Sequence, residues 1–559
     1  MTELKKGQGL RQSMAWLHTW AGLLVCWVLF LVFMGGTASY FREEITIWMK
    51  PELHGALTHK VSDGDAAERA YAYLQREAPD AERWFISLPD ARNPAISMFW
   101  LRPAKPEDAG KSNRARLEIR TLDPTTGEPL ATRETRGGEF LYRMHFDLHY
   151  MPALWARWII GFCTMFMLVA ILSGVITHRR IFADFFTFRA RKGQRSWLDA
   201  HNAMAVLALP FHLMITYTGL VTLLFMYMPW GIQAVYKGNE QAFNAELAAR
   251  APRVKPTKEA GPLAPVVPML TQASAHWNGA APHRITVEAP NKANSTVAIA
   301  REEGRNFGTT TPTVVFSGPT GELKATLGDE VAAASTTRWT MVGLHVGHFA
   351  SPLLRALFFV SGIAGCLMVA TGAVLWAVKT RQRHAKQIAV TGRTPFGLRL
   401  VEALNIGAIA GLPIAFGTYF WANRLLPVDL AQRQATEIQA FFAAWALAAL
   451  LAQWRPTRAM WQVQLWAAAV LFAGLPVLNA LTTSTHLGVT LFHGPTVVAG
   501  FDLTVLVLGI GLGATAWMLG KRGKAQAKVK FKVPAKASAK RGAPRVAGSV
   551  GEMSREVSQ

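Results

Sequence analysis

Histidines stand at four matched places in the chain. His18 and His201 open one apolar run each, and His149 and His345, both preceded by leucine, stand just before another. A histidine inside or at the rim of a lipid-facing helix bundle is costly and needs a partner. Neutral imidazole is also the commonest metal ligand, so two such pairs suggest two bis-histidine sites for haem b, bound without covalent attachment. Such a haem needs imidazoles from two helices at one depth, facing each other across the ring plane. Depth pairs His18 with His201 at one end of the runs and His149 with His345 at the other, giving an electron two stations across a membrane. The alternative is that each histidine caps a helix or hydrogen-bonds at the interface, where polar side chains are ordinary.

The remaining histidines are weaker candidates. His178 sits at the depth of the inner pair and is an alternate ligand there. His212 lies eleven residues after His201, on nearly the same helix face, and ~16 Å deeper; it is either a mid-membrane ligand or a polar group in the bundle. His145 with His149, and His345 with His348, have the i,i+4 and i,i+3 spacings that put two imidazoles on one helix face. His145 and His348 are therefore the outer alternates, completing a surface metal site or hydrogen-bonding a haem propionate. Arg143, Arg157, Arg338 and Arg355 fall at the outer rim, where a guanidinium either neutralises propionates, attracts an anionic iron chelate or snorkels to headgroups. His486 and His493 read as loop residues, and no residue is assigned as catalytic.

The elements that must position these residues are membrane helices. Of 559 residues, 51% are hydrophobic, and they come in runs too long for a soluble core. Eight runs, near 15–40, 154–177, 198–228, 353–378, 399–422, 437–454, 461–481 and 497–519, approach or exceed the ~20 residues needed to cross ~30 Å of hydrocarbon. The first is long for a secretory h-region and recurs internally, so it reads as an anchor. Every alternate connection is short and basic: Lys5, Lys6 and Arg11; Arg179 to Arg195; Lys379 to Arg399; Arg455 and Arg458; and Lys521 onward. The positive-inside rule then places both termini in the cytoplasm.

That pattern absorbs the net charge of +23. The Lys-, Ala- and Gly-rich tail, 521–559, reads as a disordered leaflet anchor in contact with lipid, with no nucleic acid as partner. Cys26, Cys163 and Cys366 all fall inside spans, and no CxxCH occurs, which excludes a disulfide framework and the usual c-type haem attachment. Gly509, Gly511 and Gly513 alternate inside the last span without a preceding strand, a helix-packing feature rather than a dinucleotide fingerprint. No Walker loop, HExxH or GxSxG is present.

Two long connections lie outside the membrane. In the first, a helical stretch at 66–76 precedes strands at 84–88, 95–101 and 116–121 and the turn at Asp123 to Gly127; in the second, helix 266–275 precedes strands 284–288, 295–300 and 313–316 and the turn at Ser317 to Gly321. The chain is thus a tandem, and aligning His18 on His201 also brings Gly36 onto Gly219. The expected partition is 1–40, cytoplasmic N-terminus and first span; 41–150, first α+β module; 151–228, second and third spans; 229–350, second α+β module; 351–382, fourth span; 383–520, four further spans; 521–559, tail. The fold class is a membrane all-α bundle of about eight helices with two small periplasmic α+β modules.

Leu17-His18-Thr19-Trp20-Ala21-Gly22-Leu23, Leu148-His149, Thr218-Gly219-Leu220, Leu344-His345 and the Thr-Gly preceding Trp376 resemble the PepSY-associated transmembrane family over roughly residues 10–382. The resemblance implies PepSY-like periplasmic modules on a bacterial inner-membrane haem protein of the iron-regulated, siderophore-linked ferric reductase type. With two haem b groups on His18, His201, His149 and His345, the expected function is electron transfer to a periplasmic acceptor, ferric iron held by a siderophore. The electrons come from a quinol or a flavoprotein. Two other readings stand beside it: a membrane-anchored PepSY-type regulator without redox activity, and an iron-related transporter.

Overall fold

The computed structural model describes residues 9–58, 60–108, 116–178, 194–240, 242–243, 253–302, 307–308, 311–329 and 333–531. The expected basic loop at 179–193 and the tail beyond 531 lie outside them. In chain order come α1 (Leu10–Ser39), α2 (Arg42–Met49), α3 (Asp63–Glu77), β1 (Arg83–Ser87), β2 (Ile96–Leu101), β3 (Leu117–Leu122), α4 (Gly137–Met144) and α5 (Ala153–Thr177). The order then repeats with α6 (Gln194–Leu207), α7 (Leu209–Thr222), α8 (Val266–His276), β4 (Pro282–Glu288), β5 (Thr296–Arg301), β6 (Thr313–Ser317), β7 (Leu323–Leu327), α9 (Ala333–Val346) and α10 (Pro352–Arg383). Four long helices follow: α11 (Phe396–Leu425), α12 (Arg433–Trp454), α13 (Arg458–Thr482) and α14 (Thr496–Phe531).

Among the described residues, seven helices (α1, α5, α10, α11, α12, α13 and α14) are long and apolar enough to cross a membrane. The run expected as the third span is a broken pair: α6 and α7 meet at 68°. Pro210, in the first turn of α7, has no N–H to extend the ladder of α6 and its ring clashes with the preceding turn. The helix restarts there at a new angle.

The two extramembrane segments, expected as separate modules, share one sheet. Its strand order is β3-β2-β1-β4-β5-β6-β7, and the seam is an antiparallel pairing of β1 with β4 that sets Trp84 opposite Val287 and Ile86 opposite Ile285. Each would be an edge strand in its own half, and pairing them removes two rows of open backbone groups. Burial alternates along β1 and β2, so one face packs under α3 and α8 around Trp84, Ile86, Ile285 and Val287. Arg83 and Glu288 bridge the seam at 2.6 Å. The last strand, β7, follows the turn at Gly321 and was not expected from the sequence.

The first ten helices make the repeat core, with α1 packed on α5 and α10 and α10 packed on α6. Helices α11 to α14 pack alongside. Trp27 of α1 donates to Asn405 of α11 (2.9 Å), just before a π turn at Ile406–Ala410. At the sheet-side ends a buried polar network joins the two parts: Trp48 donates to Asp502 (2.9 Å), Asn479 donates to Asp502 (2.8 Å), and Arg424 donates to the Trp48 carbonyl (2.6 Å).

Candidate functional site

Four imidazoles meet the helices in one repeated way. His18 of α1 donates its Nδ1–H to the carbonyl of Ala170 in α5 (2.8 Å), and His201 of α6 to Met368 in α10 (2.8 Å). His145, just past α4, donates to Val32 in α1 (2.6 Å), and His345 of α9 to Ile215 in α7 (3.1 Å). Four residues beyond each accepting carbonyl stands a glycine, Gly174, Gly372, Gly36 and Gly219, one helical turn along the same face. A Cβ on these would come within 3.2, 3.0, 2.7 and 3.0 Å of the ring of His18, His201, His145 and His345 respectively. The missing side chain is what lets each ring lie flat against its partner helix. Ser173, Thr218 and Thr371, each just before one of these glycines, fold their hydroxyls back onto carbonyls of their own helix; the Thr218 oxygen also lies 3.2 Å from Nδ1 of His345, where it shares that N–H with the Ile215 carbonyl.

A neutral imidazole has one N–H, so donating it from Nδ1 leaves the Nε2 lone pair as the outward face. The rings then come in two pairs. His18 and His201 face each other with centroids 6.1 Å apart and planes at 67°; His145 and His345 do so at 5.9 Å and 38°. No described residue hydrogen-bonds any of the four Nε2 atoms. Two lone pairs cannot bond each other, and each pair flanks a mostly apolar cavity of about 390 Å3. An electron-pair acceptor or a hydrogen-bond donor between the rings would engage both lone pairs. Among the described residues no cluster of three or more His, Cys, Asp or Glu side chains is placed to hold a metal.

His18, His201 and His345 thus lie where the sequence placed them, and His149 does not. It was expected opposite His345; that position belongs to His145, which the sequence reading held as an alternate. After α4 the backbone turns through three consecutive left-handed residues, Leu148, His149 and Tyr150, with φ of 52°, 46° and 32°. The turn swings His149 away, to stack on Phe442 of α12 (5.7 Å, 18°).

Of the other alternates, His178 and His212 line the inner cavity. His212 is buried, its ring edge-on to Phe33 at 5.9 Å, and among the described residues no second histidine ring stacks on it. His348 lines the outer cavity, as do Arg157 and Arg355, joined there by Arg42 and Arg92, which the sequence did not single out. Arg143 lines a neighbouring pocket, and Arg338 lies over Phe225 and Trp339. Leu29 and Met167 line both cavities, so the septum between them is one side chain thick at those points.

Residues 15–379 match the model of the PepSY-associated TM region. An uncharacterized protein of Pseudomonas aeruginosa is similar to this chain, 28% identical over 369 residues that take in 63% of this chain and 88% of that protein. Helices α11 to α14 lie beyond the matched region.

Proposed function

The chain belongs to the PepSY-associated TM-region family, and on that premise we propose that it is a di-haem b electron-transfer protein of the bacterial inner membrane that reduces ferric iron held by an oxygen-rich chelate, such as a siderophore, in the periplasm. In this reading the sheet lies in the periplasm, His18 and His201 serve the inner site, and His145 and His345 serve the outer one.

One observation carries the proposal: the fourfold repeat of an Nδ1–H to carbonyl bond beside a glycine, ending in two pairs of imidazole rings whose centres lie about 6 Å apart. Fixing a ligand histidine through its other nitrogen is how metal sites set the tautomer and ring orientation. Two metal–imidazole bonds of roughly 2 Å, with a further ~1 Å from each nitrogen to its ring centre, give the same separation. His18 with His201, and His145 with His345, would hold the haem iron, which would supply a one-electron couple. The protein's own part is positional and electrostatic. Arg42, Arg92, Arg157 and Arg355 surround the outer cavity and offer guanidinium groups to propionates; Lys379 and His178 offer an ammonium and an imidazole at the inner one. Leu29 and Met167 keep the septum dry. Each ferric ion takes up one electron and becomes ferrous; a quinol delivers two electrons and releases two protons, or a reduced flavoprotein delivers electrons singly. Ferrous iron is held less tightly by hard oxygen donors.

The test is the dithionite-reduced minus oxidised spectrum of the purified full-length protein. Wild type should carry two haem b per chain. Replacing His18, His201, His145 or His345 by alanine should leave about one, whereas His149→Ala should keep both. A colourless protein would overturn the proposal and leave a membrane-anchored binding role.

A further inference from the structure

Beside the outer cavity lies a second pocket of about 430 Å3, walled by α4, the turn that follows it and Ile438 of α12. Met144 lines this pocket while the next residue, His145, carries the outer ring. Asp147 of the pocket and Arg157 of the outer cavity pair at 3.0 Å, so the two spaces share a wall.

Three features mark it as a built anion site. Arg136 lines it and its guanidinium makes no hydrogen bond or ion pair among the described residues, whereas Arg143 shares its charge with Glu139 and Asp147. Asp147 is itself shared with Arg157, leaving the wall net positive. Burial, and then the charge of Arg136, push the His149 imidazole down in pKa, so His149 presents a neutral ring. Finally, the left-handed run Leu148 to Tyr150 is a conformation that non-glycine residues hold only where packing enforces it. Here Phe442 of α12 enforces it, stacking on His149 and meeting Tyr150 at 4.9 Å.

We propose that this pocket is the docking site of the acceptor: an anionic, oxygen-donor ferric chelate, held through Arg136 and flanked by His149 and Tyr150. The C-terminal helices complete its wall. The assignment of the occupant as electron acceptor rests on the function proposed above. A guanidinium matches paired oxygens of a chelate's carboxylate or catecholate arms, and the volume is that of a small-molecule site. The shared wall puts a docked ferric ion next to the His145 and His345 pair.

Gallium(III) citrate, a redox-inert stand-in, tests binding apart from electron transfer. Calorimetric titration of the full-length protein in detergent should give saturable binding that weakens at least tenfold in Arg136→Glu and several-fold in Phe442→Ala, while Arg136→Lys keeps most of it. With dithionite-reduced protein and ferric citrate, the half-saturating concentration should rise about tenfold in Arg136→Glu at an unchanged saturated rate. Equal gallium citrate affinity in wild type and Arg136→Glu overturns the site, as does occupation by anionic lipid phosphate with no gallium citrate binding. A colourless protein that still binds gallium citrate through Arg136 keeps the site and loses the electron-transfer reading. Two haems with no Arg136 dependence do the reverse.

Discussion

Each ring at the candidate sites is held by a carbonyl and a glycine one turn apart, and the four seats are not equally tight. A Cβ at Gly36 would meet two atoms of the His145 ring at 2.7 Å, whereas one at Gly174 would meet His18 at 3.2 Å. Overpacking of this kind costs about 1–3 kcal/mol where neighbours cannot yield. Gly36→Ala should therefore empty the outer site, lowering the haem to protein ratio from two to one, and Gly174→Ala should keep both haems. Equal loss in the two variants would show that the glycines do not set ring placement. The sequence marked Gly36 and Gly219 only as points where the repeat aligns; the work of the four glycines is visible once the facing helix is in place. It also could not choose between His145 and His149, because i,i+4 spacing puts both on one face of any helix that contains them. The choice was made by where α4 stops: the helix ends at Met144, so the two residues never share a helix.

At the scale of elements, α12 is fastened by a charge pair with no access to solvent. Arg433 and Glu437 pair one turn apart, both 0% exposed. Glu437 also accepts from Asn423 (2.9 Å) and Thr135 (2.5 Å). Glu437→Ala strands the guanidinium, and breaking a buried pair on one side costs about 3–5 kcal/mol. Thermal unfolding of Glu437→Ala should begin well below wild type, and the double variant Arg433→Met with Glu437→Leu should recover much of the loss. No recovery would mean that the pair's hydrogen bonds, and not the stranded charge, set the cost. Six of the seven strands were legible to within a residue or two, since alternation with period two survives in any register. The pairing of β1 with β4 was not, because about two hundred residues separate them and the partner of an edge strand is a tertiary matter.

For the molecule as a whole, acid should loosen the contact between the repeat core and the added helices. His54, 3% exposed, donates from Nε2 to the Ile47 carbonyl (3.0 Å) and accepts from Thr485 in the connection between α13 and α14. Burial pushes its pKa down to about 4, helped by Arg424 and Arg133 and opposed by the Ile47 carbonyl and Glu52. The unfolded chain protonates near 6.5, so the fold favours the neutral ring. That stabilisation is complete above about pH 6.5 and is lost progressively as pH falls toward 4, on the order of 3 kcal/mol at most. The unfolding midpoint should drop between pH 7.5 and 5 in wild type and drop less in His54→Asn; parallel drops would clear His54.

The sequence by itself determined the membrane class, the tandem order, the four added helices and the ends of the apolar runs beside which His18, His201 and His345 stand. These follow from run length and repeat spacing, which are properties of the chain taken locally. Tertiary structure decided which imidazole faces which, that two segments close into one sheet, that Pro210 breaks a span, and that α12 walls a pocket beside the outer pair. Each of these depends on which surfaces meet, and a backbone group or side chain can find a partner far along the chain only after the helices between have packed.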